Sequence, residues 1–286
     1  HHEQHILHMQ EVAQRGGGWL DADTMMSSGS YEAALYAVGG CIEAAVAVMN
    51  GEVDTAFALV RPPGHHATPR QAMGFCLYNN VAITAKYALV EYKLERALII
   101  DFDVHHGNGT QDAFYLDPQV LYVSTHQYPF YPGTGGREEI GGGAARGTTI
   151  NIPLPPGCGD GEYLRVFEQI IVPAAERFNP QLVLVSAGYD PHWTDEIASM
   201  QVTTIGFAQM AEIIKGLADE LCSGHLVISL EGGYNLTALA TSVKATFDVL
   251  LGNTNIDDPI GQSQQRPKVP DITQLINSVK ETHNLP

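Results

Sequence analysis

Aspartates and histidines gather where apolar runs end in this 286-residue sequence. The run ALII leads into DFDVHHGNGT, which contains Asp101, Asp103 and His105. If a strand continues through this motif, side chains at i, i+2 and i+4 project from one face. Carboxylates this close repel each other when both are ionised, and a bound cation relieves the repulsion. The pattern predicts a metal site, and its oxygen and imidazole ligands suit zinc, ferrous iron or cobalt.

Further polar groups follow three other apolar runs. His65 and His66 follow AFALV within RPPGHHA, Asp190 follows LVLVSAG, and Tyr234 follows LVISL within EGGY. Ligands of open parallel sheets bind beyond the carboxyl ends of the strands, so we expect these groups to meet at one edge. The prolines before the histidine pair restrict the backbone there. His106 is out of phase with its neighbour in the chain, and we expect a structural role for it.

The elements that must position these groups are short strands alternating with helices. Strands rich in β-branched residues are predicted at 54–60, 96–104, 120–125, 148–154, 182–188 and 225–230. Helical patterns cover 31–50, 163–178, 206–221 and 236–251, and a last helix at 272–283 follows a linker at 253–270. This alternation predicts an α/β fold of three layers, α/β/α, with a central and mostly parallel sheet. We expect residues 1–286 to form a single domain.

Charge and cysteine content restrict the class of protein. The 15 basic and 32 acidic residues give a formal net charge of −17, which argues against direct nucleic-acid binding and favours cationic partners. Without a CxxC pair, the cysteines are expected to be buried, reduced thiols of a cytoplasmic protein. They are Cys41, Cys76, Cys158 and Cys222.

The amino-terminal segment has a helical pattern with histidines on one face. His1, His5 and His8 share that face, which we expect to be solvated rather than metal-binding. No signal peptide is visible, and no stretch approaches the about 18 to 20 apolar residues of a transmembrane helix. We therefore expect no membrane association.

Six motifs together resemble the histone deacetylase superfamily, closest to the class II type and its bacterial and plastid-like relatives. In order they are RPPGHHA, MGFCLYNN, DFDVHHGNGT, STHQYPFYPGTG, VSAGYD and LEGGYN, spread over residues 29–251. The resemblance implies the arginase/deacetylase fold and amide hydrolysis at a single zinc ion. It also implies that the chain lacks the first N-terminal segment of the family.

The resemblance assigns a role to each motif residue at the strand ends. Asp103, His105 and Asp190 would be the zinc ligands, so that Asp101 instead orients His65 as an electrostatic partner.

The same resemblance makes His66 the general base, and Tyr234 the hydrogen-bond donor to the oxyanion. Asn108 stands where class I members have an acid, which would keep His66 a neutral base.

A narrow tunnel and an alkali-metal site also belong to this resemblance. Gly74, Phe75 and Tyr131 match the tunnel, where two rings enclose the stem of an acylated lysine, and Ile197 lies at its rim. A structural potassium ion near the zinc would draw on oxygens among Asp101, Asp103, His105, Ser124 and Thr125.

The expected reaction is hydrolysis of an acyl-lysine in a protein, releasing acetate and the free amine. The main alternative is an acetylpolyamine or another small acetylated amine, because enzymes selective for polyamines place a glutamate at the position of Ile197. Glu196 keeps that alternative open.

A silent acyl-lysine binding module is a third hypothesis, disfavoured because the catalytic set is complete. Arginase-like hydrolysis is disfavoured because a second set of bridging acids is missing. Acyl-chain preference and oligomeric state stay undetermined.

Overall fold

The computed structural model describes residues 1–264 and 268–286. In these ranges the strands are β1 (Gly18–Trp19), β2 (Met25–Met26), β3 (Thr55–Ala58), β4 (Ala97–Asp101), β5 (Val120–Gln127), β6 (Thr149–Leu154), β7 (Leu182–Ala187) and β8 (Leu226–Leu230). The helices are α1 (Glu3–Gln14), α2 (Ser30–Met49), α3 (Asn80–Glu91), α4 (Asn108–Phe114), α5 (Asp160–Val166), α6 (Val172–Phe178), α7 (Thr204–Cys222), α8 (Leu236–Leu250) and α9 (Thr273–His283).

One sheet organises the chain, with its strands in the order β3, β8, β7, β4, β5, β6. Every neighbouring pair in this sheet is parallel. All carboxyl ends therefore meet at one edge, as predicted for the candidate site.

Each face of the sheet buries its own apolar cluster. On β4, Leu98 and Ile100 pack into the cluster that contains residues of α5, α7 and α9. Ala97 and Ile99 pack on the opposite face with residues of α2 and α3. Because strand side chains alternate between faces, a continuous apolar run indicates burial on both. The three-layer α/β/α prediction is confirmed.

Several predicted boundaries differ from the structure. Strand β4 ends at Asp101, so the predicted strand at 96–104 is too long. The predicted helix at 163–178 is divided by a π-helical turn at Phe167–Ile171. Helix α3 was not predicted, because most of its residues are buried and its pattern has little amphipathic period. The predicted linker at 253–270 has no helix or strand in its described part, and its residues 265–267 lie outside the described residues.

The face of α1 that carries the histidines is less solvated than predicted. His5 is buried, and its Nε2 lies 2.9 Å from the Leu77 carbonyl oxygen. The His1 ring stacks on the His5 ring, with centroids 4.7 Å apart. His8 is exposed as predicted. The face is therefore only partly solvated, because tertiary packing of α1 covers one of its imidazoles.

Helix α2 is long and apolar enough, by length and composition, to cross a bilayer. This corrects the expectation that no stretch approaches that length. Glu32 and Glu43 interrupt the apolar run, so a count of consecutive apolar residues misses it. In the fold α2 packs against α3, β3 and β8 through one buried face, which consists of Ala34, Ala37, Cys41, Ala45 and Val48. All four cysteines are buried and free, as predicted.

His283, at the end of α9, is expected to make the free energy of unfolding depend on pH. Burial lowers its pKa, and the Arg177 guanidinium, which donates to the His283 carbonyl oxygen at 2.6 Å, lowers it further. At and below about pH 6.5 the unfolded chain therefore binds more protons than the folded protein does. The free energy of unfolding consequently decreases as pH falls through this range. We expect His283→Leu to lose less thermal stability than the parent between about pH 7.5 and 5.5. Thermal unfolding at both pH values measures this, with exposed His8→Leu as control. An unchanged slope in His283→Leu would contradict it.

Candidate active site

Three ligand atoms converge at the carboxyl edge of the sheet. They belong to Asp103, His105 and Asp190, and they lie within 4.8 Å of one another. Asp103 and His105 lie in the turn after β4, and Asp190 lies in the loop after β7. All three side chains are buried.

The carboxylate of Asp190 fits a metal ligand. Its Oδ1 accepts a hydrogen bond from the Val104 amide at 2.9 Å, whereas its buried Oδ2 has no hydrogen-bond partner among the described residues. Oδ2 lies 3.3 Å from His105 Nδ1, which is 2.9 Å from Asp103 Oδ1. A buried carboxylate oxygen without a partner is costly, and a cation between these atoms would satisfy it.

Protonation of the cluster supports the same conclusion. Burial and the neighbouring Asp103 raise the pKa of Asp190 to about 6. Burial alone would lower the pKa of His105, but the two carboxylates raise it to about 10. The site therefore holds positive charge strongly, and a divalent ion would displace that proton on binding.

Two glycines allow the carboxylates to approach. A Cβ atom at Gly232 would overlap carboxylate oxygens of Asp190 and Asp103, and one at Gly188 would overlap Asp103. The Gly232 amide donates to Asp103 Oδ2 at 2.8 Å. Bare backbone at both positions is thus required by the cluster.

His65 lies beside the cluster, between two carboxylates. Its Nδ1 lies 3.1 Å from Asp101 Oδ2, which also accepts the Tyr122 hydroxyl at 3.0 Å. Burial alone would lower the pKa of His65, but Asp101 and Asp103 raise it to about 10. The structure thus places Asp101 in contact with His65, and the orienting role that the resemblance gives Asp101 stays a prediction.

Glu231 was not predicted, although it directly follows β8 and the strand-end argument applies to it. Its Oε2 accepts the backbone amides of Gly64 and His65 at 2.6 and 3.1 Å. Its Oε1 accepts the Ser186 hydroxyl at 3.1 Å. The side chain is fully buried, and burial raises its pKa to about 7. Glu231 fixes the backbone of the histidine pair.

His66 is neutral and oriented. Its Nδ1 lies 2.8 Å from Asn108 Oδ1, so Nδ1 carries the proton and Nε2 is free to accept one. Burial, followed by the charges of His65 and His105, lowers the pKa of His66 well below its usual value. The ring packs on Gly74, where φ is 56° and a Cβ atom would overlap the imidazole. This contact explains why glycine occupies position 74.

Tyr234 lies in the loop between β8 and α8 and is 39% exposed. Its backbone amide and that of Asn235 donate to Asp195 Oδ2 at 2.6 and 3.0 Å. The other oxygen of Asp195 accepts the Ile197 amide at 3.1 Å. Burial and the nearby aspartates raise the pKa of Tyr234, which keeps its hydroxyl a donor. Asp195 was not predicted, since no pattern in the sequence marks it.

A pocket of about 200 Å³ opens above these groups. The rings of Phe75 and Tyr234 lie 6.3 Å apart across it. Tyr131 meets the His66 ring edge-on at 5.1 Å, and Phe130 stacks on His105 at 5.3 Å.

The predicted tunnel residues Gly74, Phe75, Tyr131 and Ile197 all line this pocket. Asp23 lines it too and was not predicted, because it comes from a distant amino-terminal turn. The pocket therefore has aromatic walls and one acid at its mouth.

The potassium candidates lie on adjacent strands. Asp101 pairs with Ser124 in the register of β4 and β5. Thr125 Oγ1 lies 3.5 Å from the Asp101 carbonyl oxygen, and Ser124 Oγ lies 2.9 Å from a ring nitrogen of His126. Potassium binding here stays a prediction, as do the catalytic roles of the site residues.

Comparison with known proteins places this geometry in a family. The model of the family described as "Histone deacetylase domain" matches residues 1–250. This chain belongs to the histone deacetylase family. The solved structure titled "Crystal Structure of HDA15 HD domain" superimposes on it with a TM-score of 0.87 at 36% identity, over 99% of this chain and 78% of that one.

Deacetylases of a plant and an archaeon are similar to this chain in sequence. "Histone deacetylase 14, chloroplastic" of Arabidopsis thaliana is 49% identical over 238 residues, which are 82% of this chain and 56% of that protein. "Probable deacetylase" of Archaeoglobus fulgidus is 48% identical over 235 residues, which are 82% and 65% of the two chains. This histone deacetylase chain thus spans between half and two thirds of these relatives.

Proposed function

We propose that this chain is a zinc-dependent deacylase that hydrolyses N-acyl amides, foremost acetyl-lysine of proteins. The observation that carries the proposal is the buried Asp190 Oδ2, which has no hydrogen bond within the described residues and lies in one cluster with His105 and Asp103, two residues that line an aromatic pocket. Zn²⁺ there would supply a Lewis acid for the amide carbonyl and a nucleophilic water near neutral pH.

The surrounding side chains transfer protons and donate a hydrogen bond during the reaction. His66 accepts a proton from the attacking water at Nε2, because Nδ1 is committed to Asn108, and delivers it to the leaving amine. Burial, together with the neighbouring His65, lowers the pKa of His66, so that it releases the proton readily. The Tyr234 hydroxyl donates to the oxygen that gains negative charge when the amide is attacked.

The pocket favours a slender acylated amine. Phe75 and Tyr131 supply apolar walls for an aliphatic stem, and Ile197 gives the rim no charge. Acetyl-lysine suits this shape. Acetylpolyamine is the second candidate, supported by the exposed carboxylate of Glu196 beside the rim.

One experiment tests metal, reaction and substrate together. The purified protein is analysed for metal and then assayed for acetate release from an acetyl-lysine peptide and from N-acetylputrescine, with and without a hydroxamate chelator. We expect bound zinc, faster hydrolysis of the peptide, and inhibition by the chelator. Zinc-loaded protein that binds the peptide but hydrolyses neither compound would instead support the silent binding module.

The compartment stays a proposal. The cysteines predict a cytoplasmic protein, and a plastid location is compatible with the two relatives named as chloroplastic.

An acetylated protein or a small acetylated amine is the proposed partner.

Asp195→Ala is expected to lower kcat by roughly tenfold to 100-fold with zinc retained, because small displacements of a catalytic group are costly. Without Asp195, the backbone amide of Tyr234 loses its acceptor and the hydroxyl loses its position. Single-turnover rates with metal analysis measure this. Asp160→Ala is a matched control, since Asp160 accepts the amide and hydroxyl of Thr203 away from the pocket. Equal losses of kcat in both variants would contradict positioning by Asp195.

A further inference from the structure

The small hairpin of β1 and β2 places two large apolar side chains in solvent. Gly18 pairs with Met26, and Trp19 pairs with Met25. Side chains of directly paired residues share a face, and successive residues alternate between faces. Met26 is buried in the cluster with Met9 of α1. Trp19 and Met25 therefore face the opposite way, away from the core.

Trp19 and Met25 are both large apolar side chains, yet both are exposed to solvent. Trp19 is 69% exposed and Met25 is 57% exposed. Single apolar side chains on a surface are common, but a contiguous patch beside a pocket indicates a binding surface. Tryptophan is also among the residues that contribute most to recognition.

The hairpin is continuous with the pocket. Its turn carries Asp21 and Asp23, and Asp23 lines the pocket mouth. Thr24 Oγ1 accepts the backbone amide of Phe75 at 3.0 Å, which ties the hairpin to an aromatic wall. The two exposed side chains, Trp19 and Met25, therefore form an apolar ledge on a hairpin whose turn residue Asp23 lines the pocket.

We propose that this ledge is a subsite for a bulky apolar side chain next to the acylated lysine of a peptide. The inference rests on the proposed function and narrows its substrate class. If the lysine stem fills the pocket, the flanking peptide crosses the mouth, where neighbouring residues lie about 3.3 Å apart along the chain. A polyamine has no such side chain to offer. The carboxylates of Asp21 and Asp23 disfavour acidic neighbours at the same place.

The test compares two acetyl-lysine peptides that differ only in the residues beside the lysine, leucine in one and glycine in the other. For the parent protein, kcat/KM is expected to be about tenfold higher with leucine, the factor given by burial of about one to two methylene groups. Trp19→Ser and Met25→Ser are each expected to bring the ratio of the two values toward one.

Leu251→Ser is the matched control. Leu251 is 76% exposed and follows α8, whose 15 residues separate it by about 22 Å from the end that begins beside Tyr234. Its ratio is expected to equal that of the parent. A parent ratio near one, or an unchanged ratio in both ledge variants, overturns the subsite. Failure of the parent to hydrolyse any acetylated substrate overturns the proposed function instead.

Discussion

Replacing Asp190 with asparagine is expected to abolish metal binding and deacylation together. The variant exchanges an anionic carboxylate, whose Oδ2 accepts no hydrogen bond from the described residues, for a neutral amide, which is a weaker ligand. Loss of the Lewis acid removes several kcal/mol of transition-state stabilisation, so activity should fall by about 1,000-fold or more. Metal content after gel filtration and acetate release are the two measurements.

Asp219→Asn is the matched control for this variant. Asp219 forms an ion pair with Lys215 on the surface of α7 and is remote from the cluster. Its metal content and rate are expected to match the parent. Stoichiometric zinc and normal turnover in Asp190→Asn would remove Asp190 from the metal site.

Tyr234→Phe is expected to separate catalysis from metal binding. The substitution deletes only the hydroxyl, and Asp195 still holds the backbone amide at position 234. Removing one oxyanion donor costs about 100-fold to 1,000-fold in kcat. Zinc content should be unchanged, because Tyr234 is not part of the ligand cluster.

The matched control is Tyr36→Phe, which removes a hydroxyl from a ring that is 73% exposed on α2. Steady-state kinetics separate kcat from KM in both variants. A Tyr234→Phe protein that keeps the parental kcat would show that another group stabilises the oxyanion.

Strand patterns predicted the layer order and the edge where the site lies, because burial on both faces produces continuous apolar runs. They did not predict how Asp103 and His105 meet. The strand stops at Asp101, and Asp103 Oδ1 accepts the His105 backbone amide at 2.9 Å in a tight turn. Strand alternation was therefore the wrong reason for grouping these residues.

Asp195 and Asp23 were harder to predict, because only the tertiary fold brings them to the site. Asp195 accepts amides from residues up to 40 positions away, a pairing that only the tertiary fold creates. Asp23 reaches the pocket from the amino-terminal hairpin. His106, predicted to be structural, has its ring nitrogens 2.8 Å from Thr134 Oγ1 and 3.1 Å from Gln111 Oε1.

The contact between the Val104 amide and Asp190 brings the turn that carries Asp103 and His105 together with a ligand 86 residues further along the chain. An unfolded chain cannot hold such distant groups around one ion, so zinc would associate almost entirely with the native state. If zinc is the ion, each tenfold increase in free zinc above its dissociation constant would add about 1.4 kcal/mol to the free energy of unfolding. By linking the loops after β4 and β7, the ion would stabilise the whole sheet. The concentration of free ion would then influence how long the folded protein persists in a cell.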